Sequence, residues 1–178
     1  MLPKRLERKA IFESKRLNLF SDRVLMPSGE IIEEYLQLEH TGETVVVLMQ
    51  NKKSEVCMIR SLRYTTQKIE WELPAGGIEK GEDIISAARR EVKEETGLQL
   101  TDPRKCYWYN PSNGISNETV HIVFGGVADG DQSGYNNDEV QEIHWLSLAK
   151  IITLLAANEI CDGVSLLPIL LLINDTSR

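Results

Sequence analysis

The sequence is short of cysteine: Cys57, Cys106 and Cys161 are an odd number, lie far apart and form no CxxC pair. Neither a disulfide framework nor a thiolate zinc site is built that way, so the thiols read as reduced and cytosolic. Positive charge is also scarce, with 20 Lys and Arg against 27 Asp and Glu and a net charge of −7. Wrapping bare nucleic acid requires clustered cations to release counterions, so a nucleic-acid partner is not expected. Long apolar runs are missing too. Residues 1–15 are charged and hold no signal-peptide core, and residues 166–173 are too short to cross a bilayer and carry Pro168. We therefore expect a cytoplasmic protein with no membrane partner. No GxGxxG follows a strand, and no P-loop or GxSxG occurs, which removes the familiar dinucleotide, triphosphate and serine-hydrolase frames.

What is present fits one domain, or one domain with a short appended subdomain, since 178 residues at 42% hydrophobic suffice for a real core. Residues 10–26 and 31–39 read as two strands around the turn Pro27-Ser28-Gly29. Strand patterns recur at 44–49, 55–60 and 69–73, and Pro74-Ala75-Gly76-Gly77 reads as a loop. The period then changes: 83–96 reads as a helix stopped by Gly97 at the position that favours left-handed dihedrals. Further strands are predicted at 99–109, 119–127 and 140–146, then helices at 148–157 and 166–173, the last capped by Ser165 with Pro168 in its first turn. Strands, one helix, more strands and closing helices make an α+β domain with a mixed sheet and helices packed on it.

The helix at 83–96 carries an anomaly. At about 100° per residue, Ile84, Ile85, Ala88 and Val92 face the core, and Ser86, Arg89 and Lys93 face water. Glu91 and Glu95 fall on the apolar side and Glu94 at its margin. Three carboxylates in one turn repel one another, burial raises the cost, and the helix C-terminus disfavours anions. Arg90 can meet Glu94 at i, i+4 and relieve part of this. A divalent cation is the simpler remedy, and carboxylate oxygens select a hard ion such as Mg²⁺ or Mn²⁺. From the wheel alone two readings stay open: a metal cradle, or an exposed acidic last turn with a salt bridge.

Gly76, five residues, Glu82, seven residues, then Arg90-Glu91-Val92-Lys93-Glu94-Glu95-Thr96-Gly97-Leu98 resembles the Nudix signature at every specified position. Seven fixed positions are filled by chance on the order of 10⁻⁸ of the time at a given site, so the likeness is specific. It implies a Nudix α/β/α sandwich over residues 41–178, preceded by an N-terminal antiparallel β extension over 1–40. It implies Glu91 and Glu95 as principal metal ligands, with Glu94 as a further ligand or polariser of water. The carbonyl of Ala75 would complete the shell, Arg90 would orient the glutamates, and Glu82 would brace the junction, with Gly76 and Gly97 as structural glycines.

Outside the signature, Arg60-Ser61-Leu62-Arg63-Tyr64 and Trp71-Glu72-Leu73-Pro74-Ala75-Gly76 are similar to the ADP-ribose pyrophosphatase and nucleoside-diphosphate-sugar branch. So is the segment from Tyr109 to Glu118, in which Asn113 stands where that branch has proline. The resemblance implies metal-dependent hydrolysis of a nucleoside-diphosphate sugar to a nucleoside monophosphate and a sugar phosphate, and a domain-swapped homodimer. Arg63 suits a diphosphate because its planar fork holds phosphate oxygens bidentately. Arg60, Glu72 and Glu118 are further substrate-binding candidates. In this branch a carboxylate on a loop before the last long strand often acts as base; that loop would be 134–137, ending at Asp138-Glu139, and Glu139 is the candidate base or additional ligand, ahead of Glu142. The alternatives are a pyrophosphohydrolase of nucleoside triphosphates, dinucleoside polyphosphates or capped RNA, and a non-catalytic nucleotide-sugar sensor.

Overall fold

A computed structural model of the chain describes residues 1–128, 135 and 138–176. The loop predicted at 134–137 lies outside the described residues except for Tyr135. The order of elements is β1 (Lys4–Phe12), β2 (Leu17–Leu25), β3 (Ile31–His40), β4 (Thr44–Gln50), β5 (Val56–Arg63), β6 (Lys68–Glu72), β7 (Ala75–Gly77), α1 (Ile84–Thr96), β8 (Leu100–Tyr109), β9 (Val120–Val127), β10 (Val140–Leu146), α2 (Leu148–Ala156) and α3 (Gly163–Thr176). They fall into two compact units, one of Met1–Glu43 with Asn110–Thr119, the other of Thr44–Tyr109 with Val120–Arg178.

The first unit is an antiparallel sheet in the order β1-β2-β3. The single strand expected over 10–26 is in fact two, because the chain reverses at 13–16. Ser14 makes that turn: its Oγ donates to Leu17 O at 2.7 Å and accepts the N–H of Leu17 at 3.0 Å, and its own N–H donates to Asn18 Oδ1 at 3.0 Å. Side-chain hydrogen bonds of this kind turn a backbone without Gly or Pro, which is why the pattern hid the break. The turn at Pro27-Ser28-Gly29 forms as expected, with Gly29 at φ 90°. Arg8 ties the sheet together, donating from Nε and Nη2 to Asp22 at 2.8 and 2.7 Å and from Nη1 to Glu39 at 2.7 Å. Its guanidinium lies 4.2 Å from the Phe20 ring centroid. The 110–119 loop joins this unit through Leu38 N–H to Ile115 O at 2.8 Å and Tyr35 Oη to Gly114 O at 2.6 Å.

The second unit holds a seven-stranded mixed sheet of order β10-β5-β4-β9-β8, with β6 on β5 and β7 on β4. Among the described residues of this sheet only β4 and β9 run parallel. Each face carries its own core. On one, Val45, Val47, Met49 and Cys57 pack with Ala87, Ala88 and Val92 of α1. On the other, Val46, Leu48, Val56 and Met58 pack with Ile151 and Leu154 of α2 and Ile169 and Leu172 of α3. This is the α/β/α sandwich expected, and among the described residues no helix is long and apolar enough to cross a membrane.

Two local expectations need correction. Residues 75–77 are not loop but strand β7, pairing Ala75 with Val46, Gly76 with Val45 and Gly77 with Thr44. An Ala-Gly-Gly run has no β pattern to read, and the pairing is imposed by its neighbour. Helix α3 begins at Gly163 rather than 166, since Asp162, not Ser165, accepts the N–H of Ser165 at 2.9 Å and of Val164 at 3.3 Å. Pro168 therefore lies past the first turn, where it cannot donate to Val164 O; Tyr109 Oη approaches that carbonyl at 3.5 Å.

Candidate active site

Helix α1 is fixed at both ends. Asp83 accepts the N–H of Ile85 and Ser86 at 3.0 and 3.1 Å, and Gly97 closes the helix at φ 71° with its N–H on Lys93 O at 3.0 Å. Those two caps set the rotation of the last turn. Glu91 and Glu95 are consequently 8% and 7% exposed, while the side chain of Glu94 is 56% exposed.

Strand β7 runs against this buried pair. Val47 N–H donates to Pro74 O at 2.8 Å, so in the antiparallel ladder the next residue, Ala75, turns its N–H and C=O away from β4. That N–H donates to Glu95 Oε2 at 2.9 Å. Gly76 leaves room for Glu91: a Cβ there would fall 2.1 Å from Glu91 Cδ and 2.2 and 2.3 Å from its carboxylate oxygens. The glycine of the signature is thus a requirement of space.

Arg90 organises the rim. It donates to Glu82 from Nε at 3.0 Å and Nη2 at 2.9 Å, to Gly77 O at 2.8 Å, to Glu91 Oε1 at 2.6 Å and to Glu94 Oε2 at 3.3 Å. Held by that fork, Glu82 ionises below the usual carboxylate range, and it accepts the N–H of Glu79 at 3.0 Å. Burial acts the opposite way on the inner pair. It raises Glu91 in spite of Arg90, and it pushes Glu95 up to about 8, with the Ala75 hydrogen bond opposing and the charge of Glu91 adding.

A second cluster lies within charge reach of Glu95. Arg63, on β5, donates from Nε and Nη2 to both oxygens of Glu72 and from Nη1 to Glu139 Oε1, the Nε and Nη1 contacts being 2.8 Å each. Glu72 is buried at 4% exposure, and burial raises its pKa with Arg63 as the counterweight. Glu139 is anchored through its main chain, its carbonyl accepting Leu62 N–H at 2.9 Å. Ser61, fully buried on the same strand and side as Arg63, has a hydroxyl with no hydrogen-bond partner among the described residues. No pattern marks such a serine in the sequence, and the Gly77 carbonyl used by Arg90 is equally invisible there.

Arg60 and Glu142 lie apart from these clusters. Arg60 is an odd step from Arg63 along β5 and so faces the other side of the sheet, 4.7 Å above the Trp71 ring centroid; Trp71 meets His144 edge-on at 5.0 Å. Glu142 bonds His144 at 2.7 Å and not the acid pair. Glu118 belongs to the N-terminal unit, its N–H on Ser116 Oγ at 3.0 Å.

The donors offered by Glu91, Glu95 and Ala75 are oxygens only, which suits a hard divalent cation and disfavours Zn²⁺ or Cu²⁺. Two buried carboxylates with raised pKa values and a main-chain carbonyl turned off the sheet fit Mg²⁺ or Mn²⁺. Among the described residues no three His, Cys, Asp or Glu side chains are already gathered on one point, and Glu94 meets Arg90 at 3.3 Å.

The profile of the NUDIX domain matches residues 40–163. Over 163 residues the chain is 27% identical to the ADP-ribose pyrophosphatase of Bacillus subtilis (strain 168), spanning 90% of this chain and 86% of that protein. Over 155 residues it is 28% identical to the GDP-mannose pyrophosphatase of Escherichia coli O9:H4 (strain HS), spanning 78% of each. A solved structure of an ADP compounds hydrolase superposes with a TM-score of 0.84 over 98% of this chain and 94% of that one; at 19% identity this is a likeness of fold.

Proposed function

We propose that this chain, which belongs to the Nudix family, hydrolyses the diphosphate linkage of ADP-ribose or a related nucleoside-diphosphate sugar to a nucleoside monophosphate and a sugar phosphate. That it is a Nudix pyrophosphatase rests on the family match and on relatives such as the ADP-ribose pyrophosphatase of B. subtilis. The finer reading is carried by one observation: a buried, cation-seeking acid pair on α1 lies within charge reach of a forked arginine, Arg63, on β5.

Glu91, Glu95 and the Ala75 carbonyl would hold Mg²⁺ or Mn²⁺, with Glu94 as a further ligand. When bound, the cation supplies neutralisation of the diphosphate charge at the reacting phosphorus. The chain's own residues do the rest. Arg63 binds the diphosphate from its Nη1 side, the edge that its bidentate bond to Glu72 leaves over. Arg90 keeps Glu91 pointed past Gly76, and the Ala75 N–H keeps Glu95 in place. Glu139 takes the proton of the attacking water as its oxygen bonds to phosphorus; the bridging P–O bond breaks and its electrons leave with the departing phosphate. Glu72, buried behind Arg63, positions that arginine.

A homodimer completes the proposal. Leu17, Leu19, Leu36 and Leu38 share one side of the β2–β3 pair, as the register sets Leu17 opposite His40, Leu19 opposite Leu38 and Leu36 opposite Ser21, and Leu36 is 51% exposed. A half-covered apolar sheet face of this kind suits a second copy of the chain.

The test is a panel of ADP-ribose, GDP-mannose, ADP-glucose, UDP-glucose, dinucleoside polyphosphates and nucleoside triphosphates with Mg²⁺ and Mn²⁺, products identified by mass. A clear preference for ADP-ribose or a nucleotide sugar, cut between the phosphates, is expected. Preference for triphosphates or dinucleoside polyphosphates would reject the substrate class.

A further inference from the structure

We infer that Arg63 withholds Glu139 until a substrate diphosphate displaces it, so that substrate binding and release of the base are one exchange. This deepens the reading above and rests on it. The geometry of the Arg63 fork is the starting point. Nε and Nη2 close a bidentate bond on Glu72, and Nη1 reaches Glu139 Oε1 at 2.8 Å.

The two contacts are unequal. Glu72 is buried, and separating it from Arg63 would strand a carboxylate away from water, a costly step. The Glu139 side chain is 43% exposed and holds one N–H only, which is the weak kind of ion pair. A diphosphate arriving at Arg63 therefore competes with Glu139 and not with Glu72. It brings more charge and more acceptor oxygens than one carboxylate, and the planar fork accommodates two of them.

Glu139 cannot leave the neighbourhood when it lets go. Its carbonyl stays on the Leu62 N–H at 2.9 Å, next to Arg63 in sequence, so the side chain alone swings. While bonded to Arg63 the carboxylate already lies within charge reach of Glu95, so a short swing keeps it beside the acid pair. Before substrate arrives the same carboxylate oxygen is occupied by Arg63 Nη1 and is not free to meet the attacking water.

The test is a double-variant cycle read by calorimetry in Mg²⁺ on the full chain, with two probes. Imidodiphosphate carries a non-hydrolysable diphosphate without a nucleoside, and a methylene-bridged ADP-ribose analogue carries both. Wild type, Glu139→Gln, Arg63→Ala and the double variant are compared. Glu139→Gln should improve affinity about two- to five-fold more when Arg63 is present than in the Arg63→Ala background, the range expected of a half-exposed pair. Should Arg63→Ala destabilise the fold by stranding Glu72, Arg63→Lys serves the same arm, since an ammonium has no fork to span both acids. Equal effects of Glu139→Gln in the two backgrounds mean simple charge repulsion and overturn the latch. Coupling with imidodiphosphate but no binding of the analogue keeps the latch and rejects ADP-ribose as substrate. Binding of both probes without coupling does the reverse, and binding of neither overturns both.

Discussion

Glu95→Gln should make the metal-free protein more stable at alkaline pH while ending its response to divalent cations. Burial pushes Glu95 up to about 8 in the folded chain, from the 4.5 expected of an exposed glutamate. Between those two values the folded state keeps a proton that the unfolded state has lost, so protons favour the fold and stability falls as pH rises. The loss begins near pH 4.5, is complete above about pH 8, and totals about 5 kcal/mol at 1.36 kcal/mol for each tenfold change in proton affinity. That is comparable with the whole stability of a small domain. Glu91 and Glu72, also raised by burial, act in the same direction, whereas Glu82, Asp83 and Asp22 are held low and finish titrating at more acid pH. Glutamine keeps an oxygen for the Ala75 N–H and has nothing to titrate. Urea unfolding in EDTA at pH 5, 7 and 9 should show the wild type weakening steeply and the variant much less, with the variant ahead at pH 9. Added Mn²⁺ should restore the wild type, because an ion that binds only the folded state stabilises it, and leave the variant unchanged. Parallel pH profiles, or an equal Mn²⁺ effect on both, would refute the burial argument for this acid.

Gly76→Ala places a methyl group where the Glu91 carboxylate sits, and that carboxylate is the free end of a flexible side chain. It should yield by moving, so thermal unfolding should change little while turnover falls at least about 100-fold, as a small misplacement in a catalytic site permits; retained turnover would mean Glu91 need not lie there. Asp83→Ala removes the acceptor for two N–H groups at the start of α1 and should cost about 1 kcal/mol in urea unfolding. Cys57 is buried and pushed up to about 12, whereas Cys106 and Cys161 are exposed. Ellman's reagent should accordingly titrate two thiols in the native protein and the third only after unfolding.

Helix α1 was legible because three independent signals coincide there: a 3.6-residue apolar period, Asp83 to start it and Gly97 to stop it. The wheel then placed Glu91 and Glu95 inward and Glu94 at the edge, as the structure has them. Strand β7 was not legible, since Ala-Gly-Gly carries no side-chain alternation and its pairing is dictated by β4. The split between β1 and β2 was hidden for a related reason, the turn being made by the Ser14 hydroxyl and not by a residue with special dihedrals. Proximity across the sheet is the third blind spot. Arg60 and Arg63 look alike in sequence, yet the period of two sends them to opposite faces, and only the fold brings Arg63 to Glu139, 76 positions away.

The two readings left open by the wheel, metal cradle or acidic turn with a salt bridge, bear differently on each glutamate according to where the helix's own cations go. Arg89 donates to Leu100 O and Lys93 Nζ to Gly97 O at 2.6 Å, so both serve backbone carbonyls. Arg90 is shared among Glu82, Gly77 O, Glu91 and Glu94. Glu94, exposed, meets Arg90 only at 3.3 Å, a weak surface pair that leaves its carboxylate open to a cation. Glu95 differs. Among the described residues its hydrogen bond is to the Ala75 N–H, and Arg63, the nearby cation within charge reach, has its fork on Glu72 and Glu139. A carboxylate that is 7% exposed, beside a second buried acid and without a basic partner, is stable as an anion only if a cation comes to it from solution. The helix thus carries Arg89, Arg90 and Lys93 and directs none of them to Glu95, the acid that most needs one, which supports the divalent-ion reading.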